Sequence, residues 1–586
     1  MKFLRNFLAS IMGTLVALGI FWFMFVIFIS VLGSAEDPVS IRNNSVLELQ
    51  FSEPIVDYVG TPADAPFSGL FEESAGLDQI LHAIRVAKND SRIKGINIKT
   101  SSLLAGMAQT EEIREALLDF KSEGKFIYAY ADFYGQKEYY LASVADEVFL
   151  NPQGIMDFKG LSSEVLFFKD FQEKTGVKME VVRHGKYKSA VEPFLADRMS
   201  DENRLQIKSL IESLWGSMLE DVAETRGIDV SELNRIADEL GGRTPELAVL
   251  NGLIDSLVYQ DQYDARLRTE LNIGEKARIP AVSLKNYMKY AKSKRLKKGK
   301  EQIALIYAQG QVGYGSGSPQ VIGQGTINSA LRRARNNDNI KAVVLRVNSP
   351  GGSALTSDLI WREVQLTREV KPVVVSFGDV AASGGYYIGV AGTKIFAEPT
   401  TITGSIGVFG TIPNFSEFAQ EIGINAEQVG TNKNSVDYSI FEPMSNSFRA
   451  QVKESVERTY DTFLSRVAEG REMTVEEVDK IAQGRVWSGA EAVEIGLVDE
   501  LGSLEAAIEE AAKLAEMSSY RVTKYPRFKS EFERLMDGLG GAQSRMAEKT
   551  LEKELGSELY KAYKQVKNLS EAQGVQAHMP FQLNIK

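Results

Sequence analysis

Ala382-Ser383-Gly384-Gly385 sets a small hydroxyl among residues that leave it unobstructed. The apolar run at 373–377 before it reads as a buried strand, and residues 385–392 read as a helix start rich in small residues. A second glycine-rich turn, Asn348-Ser349-Pro350-Gly351-Gly352, follows another β-branched run at 342–347. Such turns let backbone N–H groups point into a shared space, which the oxyanion of an acyl-transfer intermediate requires. Either turn alone is equally compatible with an ordinary tight turn and a serine N-cap. The pair, each closing a predicted strand, points to a serine nucleophile facing an oxyanion hole.

Such a serine needs a base. The chain has three histidines, His82, His184 and His578, none in a metal-like cluster, and no cysteine. Disulfides, thiolate catalysis and cysteine-based zinc sites are therefore excluded. Lysine can serve where burial or a cationic neighbour lowers its pKa. A shift of about three units, from near 10.4 to the useful range, costs roughly 4 kcal/mol. Lys433 shares a half with Ser383, in Gly430-Thr431-Asn432-Lys433-Asn434-Ser435 with Asp437 nearby, a polar loop that keeps a lysine charged. Lys188, in Tyr187-Lys188-Ser189-Ala190-Val191-Glu192-Pro193-Phe194, is more easily buried. Desolvation disfavours the charged amine, so Lys188 is the better-placed base.

The two candidates fall in different halves of a duplicated chain. Offset by 247 positions, Asn89 falls on Asn336, Ile93 on Ile340, Tyr139-Tyr140 on Tyr386-Tyr387, Pro152 on Pro399 and Gly160 on Gly407, with no gap between. The first half reads Ser102-Leu103-Leu104-Ala105 where the second has its Ser349-Pro350-Gly351-Gly352 turn, and Gln136 where the second has Ser383. Ser435 stands in the column of Lys188. Each half thus holds one member of a serine–lysine pair. Short β-branched runs at 302–307, 342–347 and 373–377, with helical spacing at 326–336, give a βαβ rhythm and parallel strands. Longer amphipathic helices are expected at 202–225 and 447–469.

Residues 7–32 carry no charge. A helix of that length spans the roughly 30 Å core of a bilayer, and it exceeds the apolar core of about 7–15 residues in a cleavable signal peptide. Lys2 and Arg5 precede it and Glu36 and Asp37 follow, so the positive-inside rule puts the N-terminus in the cytoplasm and the remainder outside it. The net charge of −11 gives no global support for nucleic-acid binding. Residues 285–300 carry eight lysines or arginines and read as a solvated linker helix, with anionic lipid as the alternative contact. The boundaries that follow are 1–40 for the anchor, 41–300 for the first unit with its linker, 301–525 for the second unit, and 526–586 for a charged helical tail that ends in a short strand at 579–586.

The Lys188 motif, the two serine turns and Thr403-Gly404-Ser405-Ile406-Gly407 together resemble the bacterial SppA family of signal peptide peptidases in its long, duplicated form. These are Ser–Lys peptidases related in fold to ClpP and the crotonases, and the likeness covers nearly the whole chain. It implies a tandem pair of ClpP/crotonase-like α/β units behind one transmembrane helix. It implies that Ser383 attacks the peptide carbonyl, that Lys188 takes its proton and that Ser405 orients the lysine amine. Backbone N–H groups of Gly351 or Gly352 and of Gly384 would hold the oxyanion. The implied partners are cleaved signal peptides and other apolar peptides, membrane lipid, and three further copies in a homotetramer at the inner membrane. No cofactor or metal and no nucleic acid is expected. Two other readings keep the fold: a crotonase-like acyl-CoA enzyme, which leaves the serine in the turn unexplained, and an inactive membrane scaffold, which leaves unexplained why the second half retains every required part.

Overall fold

Two sheets carry the repeat, one from each half, parallel except where Val486–Ser488 runs antiparallel to Ile402–Gly404. In the computed structural model, which describes residues 2–34, 40–60, 74–99, 102–294, 299–436, 439–528 and 576–578, the first sheet runs Ser256–Leu257, Glu147–Met156, Phe126–Tyr134, Ile93–Ile98, Ser45–Leu49, Ala281–Ser283, with all neighbours parallel. The second has its main path in the order Val486–Ser488, Ile402–Gly404, Val373–Ala382, Ile340–Ser349, Glu301–Gln309, Tyr520–Tyr525. Helices cover the sheet faces, so consecutive strand residues are buried: Val343, Val344 and Leu345 are all inaccessible to solvent. That is why these strands read as continuous apolar runs rather than as alternating ones.

The helices keep the offset of the repeat. Leu77–Asn89 matches Gln324–Asn336, and Met107–Lys121 matches Ala354–Arg368. The two long helices are Asp201–Arg226 and Asn446–Arg471, each started by a serine whose side chain accepts an N–H of the first turn: Ser200 from Asn203 and Ser445 from Phe448. The strand before Ser383 is longer than its apolar run, Val373–Ala382, because it continues through Gly378 and Asp379 to the serine itself.

A third sheet departs from the repeat. Its order is Val321–Gly323, Gln311–Gly313, Gly351–Ser353, Gln576–His578, Val408–Asn414, Lys178–His184. The last of these strands belongs to the first half and pairs antiparallel with the second half over seven residues, from His184↔Val408 to Lys178↔Asn414. The backbone of Gln576–His578 lies between two strands, paired with Gly351–Ser353 on one side and bridged to Phe409 on the other.

The start of the basic segment expected as a solvated linker packs on the first unit. Leu284–Lys292 is a helix that buries Leu284, Tyr287 and Ala291 in the first-half core. The expected tail helix and the strand at 579–586 lie outside the described residues. At the other end, Lys2–Ser34 is one helix of 33 residues. Among the described residues it is the one helix long and apolar enough to cross a membrane, over Arg5–Phe25.

Candidate active site

Ser383 sits at the C-terminal end of the strand Val373–Ala382, just before the helix Gly384–Gly389. Its φ is 55° and its ψ −116°, a setting that costs a residue with a side chain about 1–3 kcal/mol. Two backbone bonds hold this turn: the Ser383 N–H donates to Gly404 O at 2.8 Å, and its carbonyl accepts from Tyr387 N at 2.9 Å. Gly385 lets the two glycine-rich turns meet, since a Cβ there would lie 2.7 Å from Ser349 O.

The second turn brings Gly351 and Gly352 into backbone regions suited to glycine, with φ of 98° and 148°. A Cβ on Gly352 would lie 2.2 Å from Val312 O. The Gly351 N–H already donates to Ser349 Oγ at 3.2 Å. The Gly384 N–H opens a helix, where no intrahelical acceptor exists.

The lysine arrives from the other half. The cross-half strand Lys178–His184 carries the loop that follows it into the second half. There Tyr187 N donates to Gln483 O at 2.9 Å. Gln206 Nε2 fixes the same loop by donating to Tyr187 O at 3.0 Å and Ser189 Oγ at 2.7 Å. Lys188 is wholly buried, and its Nζ lies 2.9 Å from Ser383 Oγ, 2.9 Å from Ser405 Oγ and 3.0 Å from Ser405 O. Burial alone holds the amine well below the ordinary lysine range. Ser405 follows the strand Ile402–Gly404 with φ 51°, and its N–H donates to Arg485 O at 2.6 Å.

The structure therefore gathers Ser383, Lys188, Ser405 and both turns at the junction of the halves, while Lys433 is exposed. The corresponding place in the first half is filled. Gln136 Oε1 accepts the N–H groups of Lys159 and Gly160 at 2.9 and 2.8 Å. The Lys137 ammonium bonds Ala105 O, and Glu138 Oε1 accepts Leu103 N at 2.6 Å. These side chains stand in the columns that hold Ser383, Gly384 and Gly385 in the second half.

Sequence reasoning missed a buried polar network beside the site. Arg346 is 1% exposed and donates to Asp57 Oδ2 at 2.9 Å, Ser376 Oγ at 2.8 Å, Phe377 O at 2.9 Å, and Glu112. Asn348 Nδ2 donates to Asp57 Oδ1 and to Asp379 Oδ2, both at 3.3 Å. Burial, then the neighbouring Asp57, raises the Asp379 carboxyl to about 6. Burial also raises Glu398, with Glu111, Glu115 and Glu112 adding to the effect. The available signal was one charge inside an apolar run: Arg346 in Val343-Val344-Leu345-Arg346-Val347, and Asp379 before Val380-Ala381-Ala382. Among the described residues no group of three or more acidic, histidine or cysteine side chains could hold a metal ion.

Comparison with known proteins bears on both halves. The pattern of peptidase family S49 matches residues 119–274 and again residues 365–518. Protease 4 of Haemophilus influenzae is 36% identical over 446 residues, 74% of this chain and 72% of the relative. The chloroplastic serine protease SPPA of Arabidopsis thaliana is 33% identical over 474 residues, 80% of this chain and 69% of that one. A solved ClpP1 mutant from Listeria monocytogenes covers 35% of this chain and 94% of its own at 16% identity, with a TM-score of 0.24. One family match in each half, and more than a third of positions shared with a protease along most of its length, mean that this chain belongs to peptidase family S49, in its long, duplicated form, and is a serine peptidase.

Proposed function

We propose that this peptidase is anchored in the membrane by its N-terminal helix and degrades cleaved signal peptides, with Ser383 as nucleophile and Lys188 as general base. The observation that carries the reading is the 2.9 Å contact between Lys188 Nζ and Ser383 Oγ in a fully buried setting. A neutral amine has two N–H donors and one lone pair. The donors match Ser405 Oγ and Ser405 O, at 2.9 and 3.0 Å, and the lone pair is left for the Ser383 hydroxyl. Ser405 thereby orients the base.

In the first step Ser383 Oγ bonds to the peptide carbonyl carbon while its proton passes to Lys188 Nζ. The carbonyl oxygen becomes an oxyanion, stabilised by the N–H groups of Gly384 and the Gly351–Gly352 turn. The C–N bond then breaks, and the lysine ammonium gives its proton to the leaving amine. Water attacks the acyl-enzyme, Lys188 accepts a proton from it and returns that proton to Ser383 Oγ as the acid departs.

Substrate enters as an added strand. The pairing of Gln576–His578 with Gly351–Ser353 and its bridge to Phe409 support a gap one strand wide, between those two strands, that accepts extended backbone. Such a gap favours unfolded apolar peptides over folded proteins. The charge order around the Lys2–Ser34 helix supports a cytoplasmic N-terminus and a catalytic part on the far side of the inner membrane. Exposed Phe171, Phe418 and Ile422, close to the cross-half strand, support assembly into the tetramer that the family likeness implies. Light scattering of the detergent-solubilised chain tests the subunit count.

The deciding experiment is labelling with a fluorophosphonate and location of the adduct by mass spectrometry. Label on Ser383, lost in Ser383→Ala and Lys188→Ala and kept in Lys433→Ala, is the expected result. An unlabelled wild-type chain would favour the inactive-scaffold reading.

A further inference from the structure

The nucleophile strand is not regular. Against Ile340–Ser349 its register runs Val347↔Phe377 and then Ser349↔Ala381. Asn348 alone therefore faces Gly378, Asp379 and Val380, and the strand bulges just before the serine. The Asn348 side chain fills the bulge: its Oδ1 accepts Val380 N at 3.2 Å, and its Nδ2 donates to Asp379 Oδ2 at 3.3 Å. Gly378 leaves room for this contact, since a Cβ there would lie 2.9 Å from both Asn348 Cγ and Asp57 Oδ2.

Thr401 Oγ1 of the second half donates to Gly378 O at 2.9 Å, and the first half holds the bulge from the other side. Asp57 Oδ1 accepts Asn348 Nδ2 at 3.3 Å and Gln109 Nε2 at 2.8 Å, while its Oδ2 accepts Arg346 Nε at 2.9 Å. Gln109 N donates to Asp379 Oδ1 at 3.0 Å. Arg346 also grips Ser376 and Phe377, the two residues before the bulge. Asp57 is 3% exposed. A buried ionic network of this kind is a poor source of net stability, because desolvation offsets the attraction. What it supplies is direction.

We infer that Asp57 is a positioning residue of this peptidase. Acting through Asn348 and Arg346, it sets the bulge that aims Ser383 at Lys188 and holds the adjoining turn at 349–352. The first half then contributes twice to the site, once with the lysine and once with the frame of the serine. This inference rests on the reading of Ser383 and Lys188 as the reacting pair.

Asp57→Asn tests it selectively. An amide oxygen can still accept Arg346 Nε, but the amide nitrogen then faces two donors, Gln109 Nε2 and Asn348 Nδ2. The full-length chain, Asp57→Asn, Asn348→Ala and the double variant are compared by the rate of fluorophosphonate labelling, by kcat and KM on an apolar peptide, and by melting temperature. The expected result is a labelling rate about 100-fold lower in each single variant, the size of loss that follows a misplacement of about 1 Å. KM should stay within about threefold of wild type, and the double variant should be no worse than the worse single one. Should Asp57→Asn fail to fold, Asn348→Ser carries the same readouts. A labelling rate within about twofold of wild type, losses that multiply in the double variant, or losses explained by the unfolded fraction would overturn the inference. Absence of label on wild-type Ser383 would instead overturn the assignment of the reacting pair.

Discussion

Gly484 packs on the backbone of Lys188: a Cβ at Gly484 would lie 2.7 Å from the N, Cα and Cβ of the lysine. Gly407 guards the stem in the same way, with its Cβ position 3.1 Å from Lys188 Cδ. The second half thus receives the lysine of the first half in a slot with glycine on its walls.

Gly484→Ala should push the lysine out of that slot. Gly484 also has φ 81°, where a side chain costs about 1–2 kcal/mol. We expect kcat/KM to fall by about 100-fold or more while the chain remains folded. Circular dichroism and peptide turnover check this, and near-normal turnover would show that the loop yields.

The depressed Lys188 amine has a defined pH signature. With Lys188 as the proposed base, activity needs the neutral form and should rise with pH along a limb well below the ordinary lysine value of 10.5. Folding strips or strains a proton that the unfolded chain keeps. The penalty is full below the folded pKa and fades as pH approaches 10.5. Lys188→Met should therefore be inactive and more stable than wild type near neutral pH, with an advantage that shrinks as pH rises. Melting temperatures of both proteins across pH 6 to 10 measure it; an advantage that grows with pH contradicts the assignment.

The buried acids have the opposite sign. Glu398 is 1% exposed, its Oε1 has no hydrogen-bond partner, and burial raises its pKa well above the ordinary 4.5. The folded chain keeps a proton that the unfolded chain releases, so stability falls as pH rises from that value through the folded pKa. Glu398→Gln should leave activity in place and raise the melting temperature relative to wild type, by a margin that increases with pH. A constant margin would mean that Glu398 does not titrate within the fold.

The backbone of Gln576–His578 stands where substrate is expected to pair. A peptide tethered to the site competes at an effective concentration of roughly millimolar. A chain ending at residue 575 should have a KM several-fold lower than full length and an unchanged kcat. Steady-state kinetics on an apolar peptide decide it, and an unchanged KM would remove the tail from the slot in solution.

Much of this molecule was legible in its sequence because the information is local. The offset that aligns Asn89 with Asn336 also aligns the helices Leu77–Asn89 and Gln324–Asn336 residue for residue, since amphipathic spacing and turn chemistry are set within a few positions. The small residues around Ser383 and the glycines at 351 and 352 announced their turns for the same reason. The helix Leu284–Lys292 shows the limit: its lysines read as a solvated linker, yet Tyr287 is buried. Local composition shows that a face is charged, not what covers the opposite one.

Only the tertiary structure decided how the site is assembled. Lys188 and Ser383 are 195 positions apart, and the strand Lys178–His184 that joins their halves has no counterpart at the equivalent place in the second half. The lysine's lowered pKa comes from the removal of water on burial, and no stretch of sequence contains that quantity. Gly484 and Asp57 looked like any glycine or aspartate until the fold set one against Lys188 and the other against Asn348 and Arg346. Their roles are fixed by approach and burial, which arise only when distant segments pack.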